Sequence, residues 1–231
     1  MLELQNIKGG YIVGNDILNG VDLSIHMGEA VGIIGLNGSG KSTLGKAIMN
    51  MLTYQSGELI FKNEIITKLK TNELSRKGLS FFLQGGQIFD DLSVWDNLLL
   101  SANGYISDIT LIQEYFSLLR GNKNKFKNLG ADKLSGGERH QLALAMCLLR
   151  KPSFLILDEP SAGLSPAMAK SLYEVLTILR KEQNLTILLI EQNIALAIDF
   201  CNKIYLLDRG KISRQFDKKD ITEIEIALFK P

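Results

Sequence analysis

The stretch AVGIIGLNGSGKST, residues 30–43, joins an apolar run to a glycine-rich loop. Gly35, Gly40, Lys41 and Ser42 satisfy the spacing G-x-x-x-x-G-K-[ST], with a strand pattern before the loop and a helical pattern after it. Glycines permit positive φ, so that successive N–H groups can converge on phosphate oxygens. The stretch therefore predicts a phosphate loop between a buried strand and a helix.

This motif assigns separate tasks to its polar residues. Lys41 is expected to reach the β- and γ-phosphates of a nucleotide, which also makes it a catalytic candidate, and the Ser42 hydroxyl is expected to ligate Mg²⁺. The loop residues predicted to bind the nucleotide are Gly35, Asn37, Gly38, Ser39, Gly40, Lys41, Ser42 and Thr43.

Strand and helix patterns alternate at both ends of the chain. The predicted strands are LELQNI, GVDLSI, EAVGIIG, GELIFK, GLSFFL, FLILD, TILLIEQ, KIYLLD and GKISRQF. The predicted helices cover about 41–52, 93–120, 136–150, 166–183, 193–202 and 217–229. Because residues 85–150 read as mostly helical, we expect one α/β domain in which 1–84 and 151–231 form the core and 85–150 form a helical subdomain.

A pair of carboxylates follows the buried strand FLILD. Asp158 and Glu159 end this strand, where an Asp in phosphate-loop enzymes holds Mg²⁺ through water. We expect Asp158 to take that role and Glu159 to polarise the attacking water. Two adjacent carboxylates at a strand end are costly unless a cation or a water network uses them.

A second glycine-rich helix start lies at LSGGERHQ, residues 134–141. The first N–H groups of a helix are unpaired and its dipole is positive there, so that this segment also predicts an anion site. His140 is expected to face solvent or an interface. Trp95 is compatible with the core of the helical part or with a groove for a membrane subunit.

The composition limits the classes of function. The chain has 231 residues, of which 45% are hydrophobic, with 26 Lys plus Arg against 25 Asp plus Glu. The near-neutral balance gives no basic surface for nucleic acid, and we expect no nucleic-acid partner. The two cysteines, Cys147 and Cys201, are read as structural thiols. We find no signal-peptide pattern and no apolar stretch near the ~18 residues that span a bilayer, so that we do not expect this chain to cross a membrane.

In this order, the motifs resemble the nucleotide-binding domains of ABC transporters over nearly the whole chain. The resemblance implies a phosphate-loop NTPase core with a mixed sheet, an antiparallel β subdomain and a helical insert. It implies that Tyr11 stacks on adenine and that Gln84 contacts Mg²⁺. LSGGE looks like the family's signature, so that Ser135, Gly136, Gly137 and Glu138 would bind nucleotide.

The resemblance also explains the two anion sites. In this family two subunits pack head to tail, and the signature of one faces the γ-phosphate held by the phosphate loop of the other. The expected ligands are ATP and Mg²⁺, and the expected partner is a second ATPase subunit of the same or a different sequence. ATP would hold the pair together and hydrolysis would release it.

Two positions depart from the family pattern. Most members have a histidine that touches the γ-phosphate where this chain has Gln192, in TILLIEQN. A glutamine can donate a hydrogen bond but does not titrate near neutrality, so that we expect Gln192 to orient the γ-phosphate without acid–base chemistry. Ser165 stands where many members have an aspartate, in the segment SAGLSP that corresponds to the D-loop.

The segments IEQN, QGGQIFDDLSVWDNLLL and DEPSAGLSP look like the branch that energises import of branched-chain amino acids and similar small solutes. The resemblance implies transmembrane permease subunits, an extracytoplasmic solute-binding protein that acts indirectly, and a place at the cytoplasmic face of a bacterial or archaeal membrane. Two alternatives stay open. One is the ATPase of a lipid or lipopolysaccharide exporter, and the other is a soluble ABC ATPase without a transport role.

Overall fold

The computed structural model describes residues 1–102, 109, 112–113, 115–116 and 126–217. Ten strands within these residues form two sheets. In chain order they are β1 (Leu2–Gly10), β2 (Leu18–Ile25), β3 (Ala30–Ile34), β4 (Tyr54–Phe61), β5 (Glu64–Ile65), β6 (Leu79–Phe82), β7 (Phe154–Asp158), β8 (Thr186–Ile190), β9 (Lys203–Asp208) and β10 (Lys211–Asp217).

The helices of the same residues follow the expected alternation with strands. They are α1 (Lys41–Ile48), α2 (Thr71–Arg76), α3 (Val94–Ser101), α4 (Gly136–Leu149), α5 (Pro166–Gln183) and α6 (Ile194–Phe200), with a 3₁₀ turn at Ala131–Lys133.

The larger sheet has the strand order β10-β9-β3-β8-β7-β6. All neighbouring pairs are parallel except β9 with β10, which form an antiparallel hairpin. Every residue of β3, β7 and β8 is buried, as expected for strands covered on both faces. The loops that follow β3, β6, β7 and β8 therefore leave the sheet on the same side, at the carboxyl ends of the strands. Ligands of such sheets bind at this side.

The smaller sheet is antiparallel and has the order β2-β1-β4-β5. Its strands alternate buried and exposed residues over parts of their length, which is typical of a sheet with one solvated face. The predicted α/β fold, with a mixed sheet and an antiparallel β subdomain, is confirmed.

Each face of the larger sheet belongs to a different hydrophobic core. Val31 and Ile33 of β3 pack with the smaller sheet and with the apolar side of α1 and α2. Ala30 and Ile34 of the same strand pack with residues of α3, α4, α5 and α6. The central sheet is thus sandwiched, and the period-2 alternation of strand side chains divides its residues between the two layers.

Helix α1 is shorter than predicted. The sequence suggested a helix from Lys41 to Leu52, but α1 ends at Ile48. Asn50 adopts a left-handed φ of 51°, and its side chain donates hydrogen bonds to the carbonyls of Ile66 and Leu69. Short polar side chains tolerate this conformation, and here it turns the chain toward β4.

Other predicted helices agree in place, with differences in extent. Ser165 caps α5, with Pro166 in the first position, and Asn184 ends it at a left-handed φ of 51°. Of the pattern at 93–120, α3 is seen as a helix, and most of the rest lies outside the described residues. The helix predicted for 217–229 also lies outside them, apart from Asp217, which ends β10.

Two side chains of the helical part lie in the core. Trp95 is buried, which favours the core alternative for this residue. The expectation that His140 faces solvent or an interface is wrong, because this side chain is only 7% exposed and its ring lies 5.6 Å from that of Phe82. Helix α4 packs on β6, and His140 lies on the packed face.

Two further expectations bear on function. Cys147 and Cys201 are both free, and Cys201 is buried while Cys147 is half-buried. None of the helices in the described part of the chain is both long and apolar enough to cross a membrane. The division into a core (1–84 and 151–231) and a helical subdomain (85–150) stays a prediction.

Candidate active site

The loop between β3 and α1 has the backbone of an anion cradle. Gly38 and Gly40 adopt left-handed φ values of 79° and 104°, and Gly40 occupies the N-cap of α1. The first N–H groups of this helix have no partner within it and point into the loop, where the helix dipole is positive. The backbone of residues 35–43 is therefore suited to an anion, and the binding of phosphate there stays a prediction.

Lys41 is held inside this loop. Its side chain is only 5% exposed, and Nζ donates to the carbonyl oxygens of Gly35 at 2.8 Å and Leu36 at 3.1 Å. Burial lowers the pKa of Lys41 below its usual 10.5, and the nearby charges of Glu159 and Asp158 oppose this shift. The ammonium is thus pre-positioned, at a cost that an anion in the loop would offset.

Two hydroxyls of the loop are buried beside Lys41. Ser39 and Thr43 are both buried, and Ser39 Oγ has no hydrogen-bond partner among the described residues. A buried hydroxyl without a partner is costly, and a phosphate oxygen would satisfy it. Asn37, in the middle of the loop, is exposed. These observations fit a nucleotide phosphate.

Asp158 ends β7 next to the phosphate loop. Ser42 Oγ donates to Asp158 Oδ1 at 3.0 Å, which brings together the hydroxyl predicted to ligate Mg²⁺ and the carboxylate predicted to hold it through water. Burial raises the pKa of Asp158 above 3.8, and the Glu159 charge adds to this, while the Ser42 hydrogen bond acts in the opposite direction. A cation at this point would stabilise the carboxylate, and the oxygen ligands fit Mg²⁺.

Glu159 is held by two carboxamides from other strands. Gln84 Nε2 donates to its Oε2 at 2.7 Å, and Gln192 Nε2 donates to its Oε1 at 2.5 Å. The backbone N–H of Glu159 donates to the Ile190 carbonyl at 2.9 Å, and Glu159 itself has a left-handed φ of 48°. Such a backbone in a residue with a side chain is uncommon and is often found at functional sites.

The two glutamines reach Glu159 from the exits of different strands. Gln84 follows β6 and Gln192 follows β8, and both strands flank β7. In each glutamine the amide nitrogen donates to Glu159, so that the carbonyl oxygen is the atom that could accept from another donor or ligate a cation. The structure thus places the predicted residues Gln84, Glu159 and Gln192 in one cluster.

Tyr11 lies near the other end of the phosphate-loop helix. Its ring is 40% exposed, and Lys46 Nζ of α1 lies 5.5 Å from its centroid. An exposed aromatic ring beside α1 can stack on a base whose phosphates occupy the loop.

The signature segment starts α4. Ser135 is its N-cap, and Glu138 Oε2 accepts from the Ser135 N–H at 2.9 Å and from Ser135 Oγ at 2.7 Å, which forms a capping box. Ser135 and Gly136 are exposed. Gly137 lies against Met168 and Leu164, near the start of α5. The segment therefore presents a helix start to the surface.

The sequence analysis did not single out Glu191. This residue follows β8 directly and is 2% exposed. Its carboxylate accepts hydrogen bonds from Ser161, Tyr173, Gln192 and Asn193. An acidic residue that directly continues an apolar strand, as in TILLIEQN, was the available signal, because a charge is rarely buried unless several donors surround it.

Comparisons of the sequence and of the structure with known proteins point to the same family. Residues 18–162 match the family model described as ABC transporter. The chain is 35% identical to the "Probable branched-chain amino acid transport ATP-binding protein LivF" of Archaeoglobus fulgidus, over 97% of this chain and 95% of the relative. It is 28% identical to the "Lipopolysaccharide export system ATP-binding protein LptB" of Haemophilus influenzae, over 92% and 88%.

A solved structure resembles the fold over nearly its whole length. It is the dimeric post-hydrolysis state of the ATP-binding cassette MJ0796 bound to ADP and Pi, with a TM-score of 0.82 and 25% identity. The likeness covers 94% of this chain and 99% of that one.

Proposed function

The chain belongs to the ABC transporter family and hydrolyses ATP, and from this premise we propose that it is the ATPase subunit of a membrane importer. The observation that carries the proposal is the cluster in which Gln84 and Gln192 hold the Glu159 carboxylate, beside the Ser42–Asp158 pair. The proposal is supported because these side chains lie together at the carboxyl ends of neighbouring strands, where a base, a cation and a phosphate could meet.

The residues at this side of the sheet divide the work of hydrolysis. Lys41 and the loop N–H groups bind the β- and γ-phosphates. Ser42, Gln84 and Asp158 would hold Mg²⁺, with Asp158 acting through water, and the ion would supply charge neutralisation at the phosphates. Glu159 accepts a hydrogen bond from the attacking water, and Gln192 orients the γ-phosphate through its carboxamide.

A second subunit completes each site in this proposal. Ser135, Gly136, Gly137 and Glu138 close over the ATP held by the phosphate loop of a partner, and Tyr11 stacks on the adenine of its own subunit. The exposure of Ser135 and Gly136 supports this arrangement, because their helix start is open to a partner. The dimeric cassette among the similar structures supports it as well.

The solution mass of the Glu159→Gln chain with and without Mg-ATP tests this proposal. Light scattering should show a monomer that becomes a dimer when Mg-ATP is added. The matched control adds Gly136→Tyr, because Gly136 is exposed and a Cβ atom added there meets nothing within 4 Å in the subunit. This double variant should fold and bind ATP but stay monomeric. A chain that dimerises equally well with both substitutions would overturn the assigned role of the signature segment.

A monomer that still binds ATP would mean that a different ATPase subunit supplies the second half of the site. Purification with the native partner would then identify it. Both outcomes leave the assignment of the phosphate loop intact, because that rests on ATP binding by the single chain.

Import of branched-chain amino acids, or of a similar small solute, is the proposed transport role. The relative named for branched-chain amino acid transport supports it. The chain would sit at the cytoplasmic face of the membrane, bound to transmembrane permease subunits that receive solute from an extracytoplasmic binding protein. The test is uptake of labelled leucine into vesicles that hold the co-purified membrane subunits, with the Glu159→Gln chain as the inactive control.

Export of a lipid or lipopolysaccharide is the second candidate, and the relative named for lipopolysaccharide export favours it. The two candidates differ in the stimulus of the ATPase. Solute-loaded binding protein should raise the turnover of an importer, whereas lipid in the same membrane should raise that of an exporter.

A further inference from the structure

The buried carboxylate of Glu191, which has no role in the proposed hydrolysis, joins the segment after Glu159 to the end of β8. Glu191 is buried, and one of its oxygens, Oε1, accepts hydrogen bonds from Ser161 Oγ at 2.6 Å and from the Tyr173 hydroxyl at 2.7 Å. The Ser161 N–H also donates to Oε1, at 3.3 Å. Ser161 lies two residues after Glu159, in the segment that leads to α5, and Tyr173 lies within α5.

The other oxygen of the same carboxylate fixes the exit of β8. Glu191 Oε2 accepts from the backbone N–H of Gln192 at 3.0 Å and from that of Asn193 at 3.2 Å. This interaction sets the course of the chain at Gln192, whose side chain donates to Glu159. A single carboxylate therefore spans the two chain segments that flank Glu159.

These five hydrogen bonds all come from neutral donors. A buried carboxylate is costly, and hydroxyl and backbone N–H donors that converge on both oxygens offset that cost. The carboxylate is rigid and is fixed from both segments, so that if the donors of one segment move away, the carboxylate can shift and the donors of the other segment shift with it. The geometry thus couples the position of Ser161 to that of Gln192.

We infer that Glu191 is a positioning residue, which, with Tyr173, holds Gln192 and the segment around Ser161 so that the Gln192 carboxamide stays on Glu159. The inference rests on the proposed roles of Glu159 and Gln192 in ATP hydrolysis.

Tyr173→Phe is the mildest test, because it removes only the hydroxyl. The ring keeps its contact with Phe200, where the centroids are 5.2 Å apart. We expect kcat to fall by about five-fold, the effect of one lost hydrogen bond, with KM for ATP unchanged. Tyr205→Phe is the matched control, since Tyr205 is a buried tyrosine of β9, and it should leave kcat unchanged.

A double-mutant cycle separates positioning from general loosening of the fold. In the Gln192→Ala background, Tyr173→Phe should have no further effect on kcat, because the side chain that it positions is absent. Single-turnover phosphate release, followed for hours, keeps slow variants measurable. The same factor in both backgrounds, or a change in KM alone, would overturn the inference.

The cycle also separates failure of the inference from failure of the proposed function. If Gln192→Ala leaves kcat at the native value, then Gln192 has no role in turnover and the inference fails with it, while the ATPase assignment stands. Glu191→Gln replaces one carboxylate oxygen with an amide donor that faces either the three donors of Oε1 or the two of Oε2, and we expect it to lower kcat more than Tyr173→Phe does. A Glu191→Gln chain that folds and turns over at the native rate would contradict the inference independently.

Discussion

Gln192 donates from Nε2 to Oε1 of Glu159 at 2.5 Å, across the gap between the ends of β8 and β7. A carboxamide is thus in direct contact with the candidate base. The carboxamide is neutral over the whole physiological pH range, so that the Gln192 side chain brings no charge to this contact at any of these pH values.

The first prediction concerns Glu159. Glu159→Gln should retain ATP binding and lower turnover by about 100-fold or more, because a neutral amide cannot accept the proton of the attacking water. The measurements are equilibrium ATP binding and steady-state phosphate release. Glu174→Gln makes the same chemical change at an exposed position of α5 and should turn over normally. Normal turnover of the Glu159 variant would contradict the assigned role.

The second prediction concerns pH. The native chain should show no step in kcat that depends on position 192, since glutamine does not titrate there. Gln192→His should introduce one near the ordinary histidine pKa of about 6.5. The measurement is kcat from pH 5.5 to 8.5 for both chains. A native profile with such a step, which Gln192→Ala then removes, would refute the non-titrating role.

The third prediction concerns Lys41. Lys41→Ala should weaken ATP binding by about 30-fold or more, because charge-assisted hydrogen bonds to the phosphates are lost. Lys68→Ala, at an exposed position, should bind ATP as the native chain does. Binding of a fluorescent ATP analogue by both chains is the measurement, and equal affinities would contradict the assignment.

The lowered pKa of Lys41 adds a pH dependence to this prediction. Burial makes the ammonium lose its proton below the usual pH of 10.5, so that ATP affinity should begin to fall at a lower pH than an ordinary lysine would cause. Titration of ATP binding from pH 8 to 10.5 measures this. An affinity that is constant to the end of that range would show that the Lys41 charge does not contribute.

The fourth prediction concerns stability without nucleotide. Because burial raises the pKa of Asp158 above 3.8, the native state binds this proton more tightly than the unfolded state. The contribution of this group to stability therefore falls as the pH rises from 3.8 through the raised pKa, and it stays low at neutral pH. Removal of the charge should relieve this penalty.

Asp158→Asn keeps an oxygen that can accept from Ser42, so that it tests this penalty directly. At pH 7 we expect the nucleotide-free variant to be more stable by about 1 kcal/mol, with a Tm higher by about 2–4 °C, although it should lose turnover. Calorimetry at pH 7 and near pH 3.8 measures the difference, which should shrink at the lower pH. A lower Tm at pH 7 would show that the carboxylate stabilises the empty site.

Local features of the chain were predictable because they depend on neighbours in sequence. The glycine spacing of residues 35–43 specified the phosphate loop, and Ser165 with Pro166 specified the start of α5. The apolar run before Asp158 specified a buried strand that ends in a carboxylate. In each case the backbone conformation or the cap is satisfied within a few residues, so that no distant contact is needed.

The end of helix α1 and the inward face of α4 were predicted less well than the places of these helices in the chain. The apolar residues after Ile48 continue a helical pattern, yet Asn50 ends α1 through hydrogen bonds to the carbonyls of Ile66 and Leu69, 16 and 19 residues further along the chain. His140 follows the signature on a helix whose inward face is decided by its packing against Phe82 of β6. Both outcomes depend on contacts that periodicity along one segment does not contain.

The sequence by itself determined the strand–loop–helix of residues 30–48, the caps of the helices and the identity of the acidic strand end. Only the tertiary structure decided that Gln84, Glu159 and Gln192 meet, and that Glu191 joins Ser161 to Gln192. The physical reason is strand order: β6, β7 and β8 are neighbours through hydrogen bonds between segments far apart in the chain, and an apolar strand pattern does not specify which strand it pairs with.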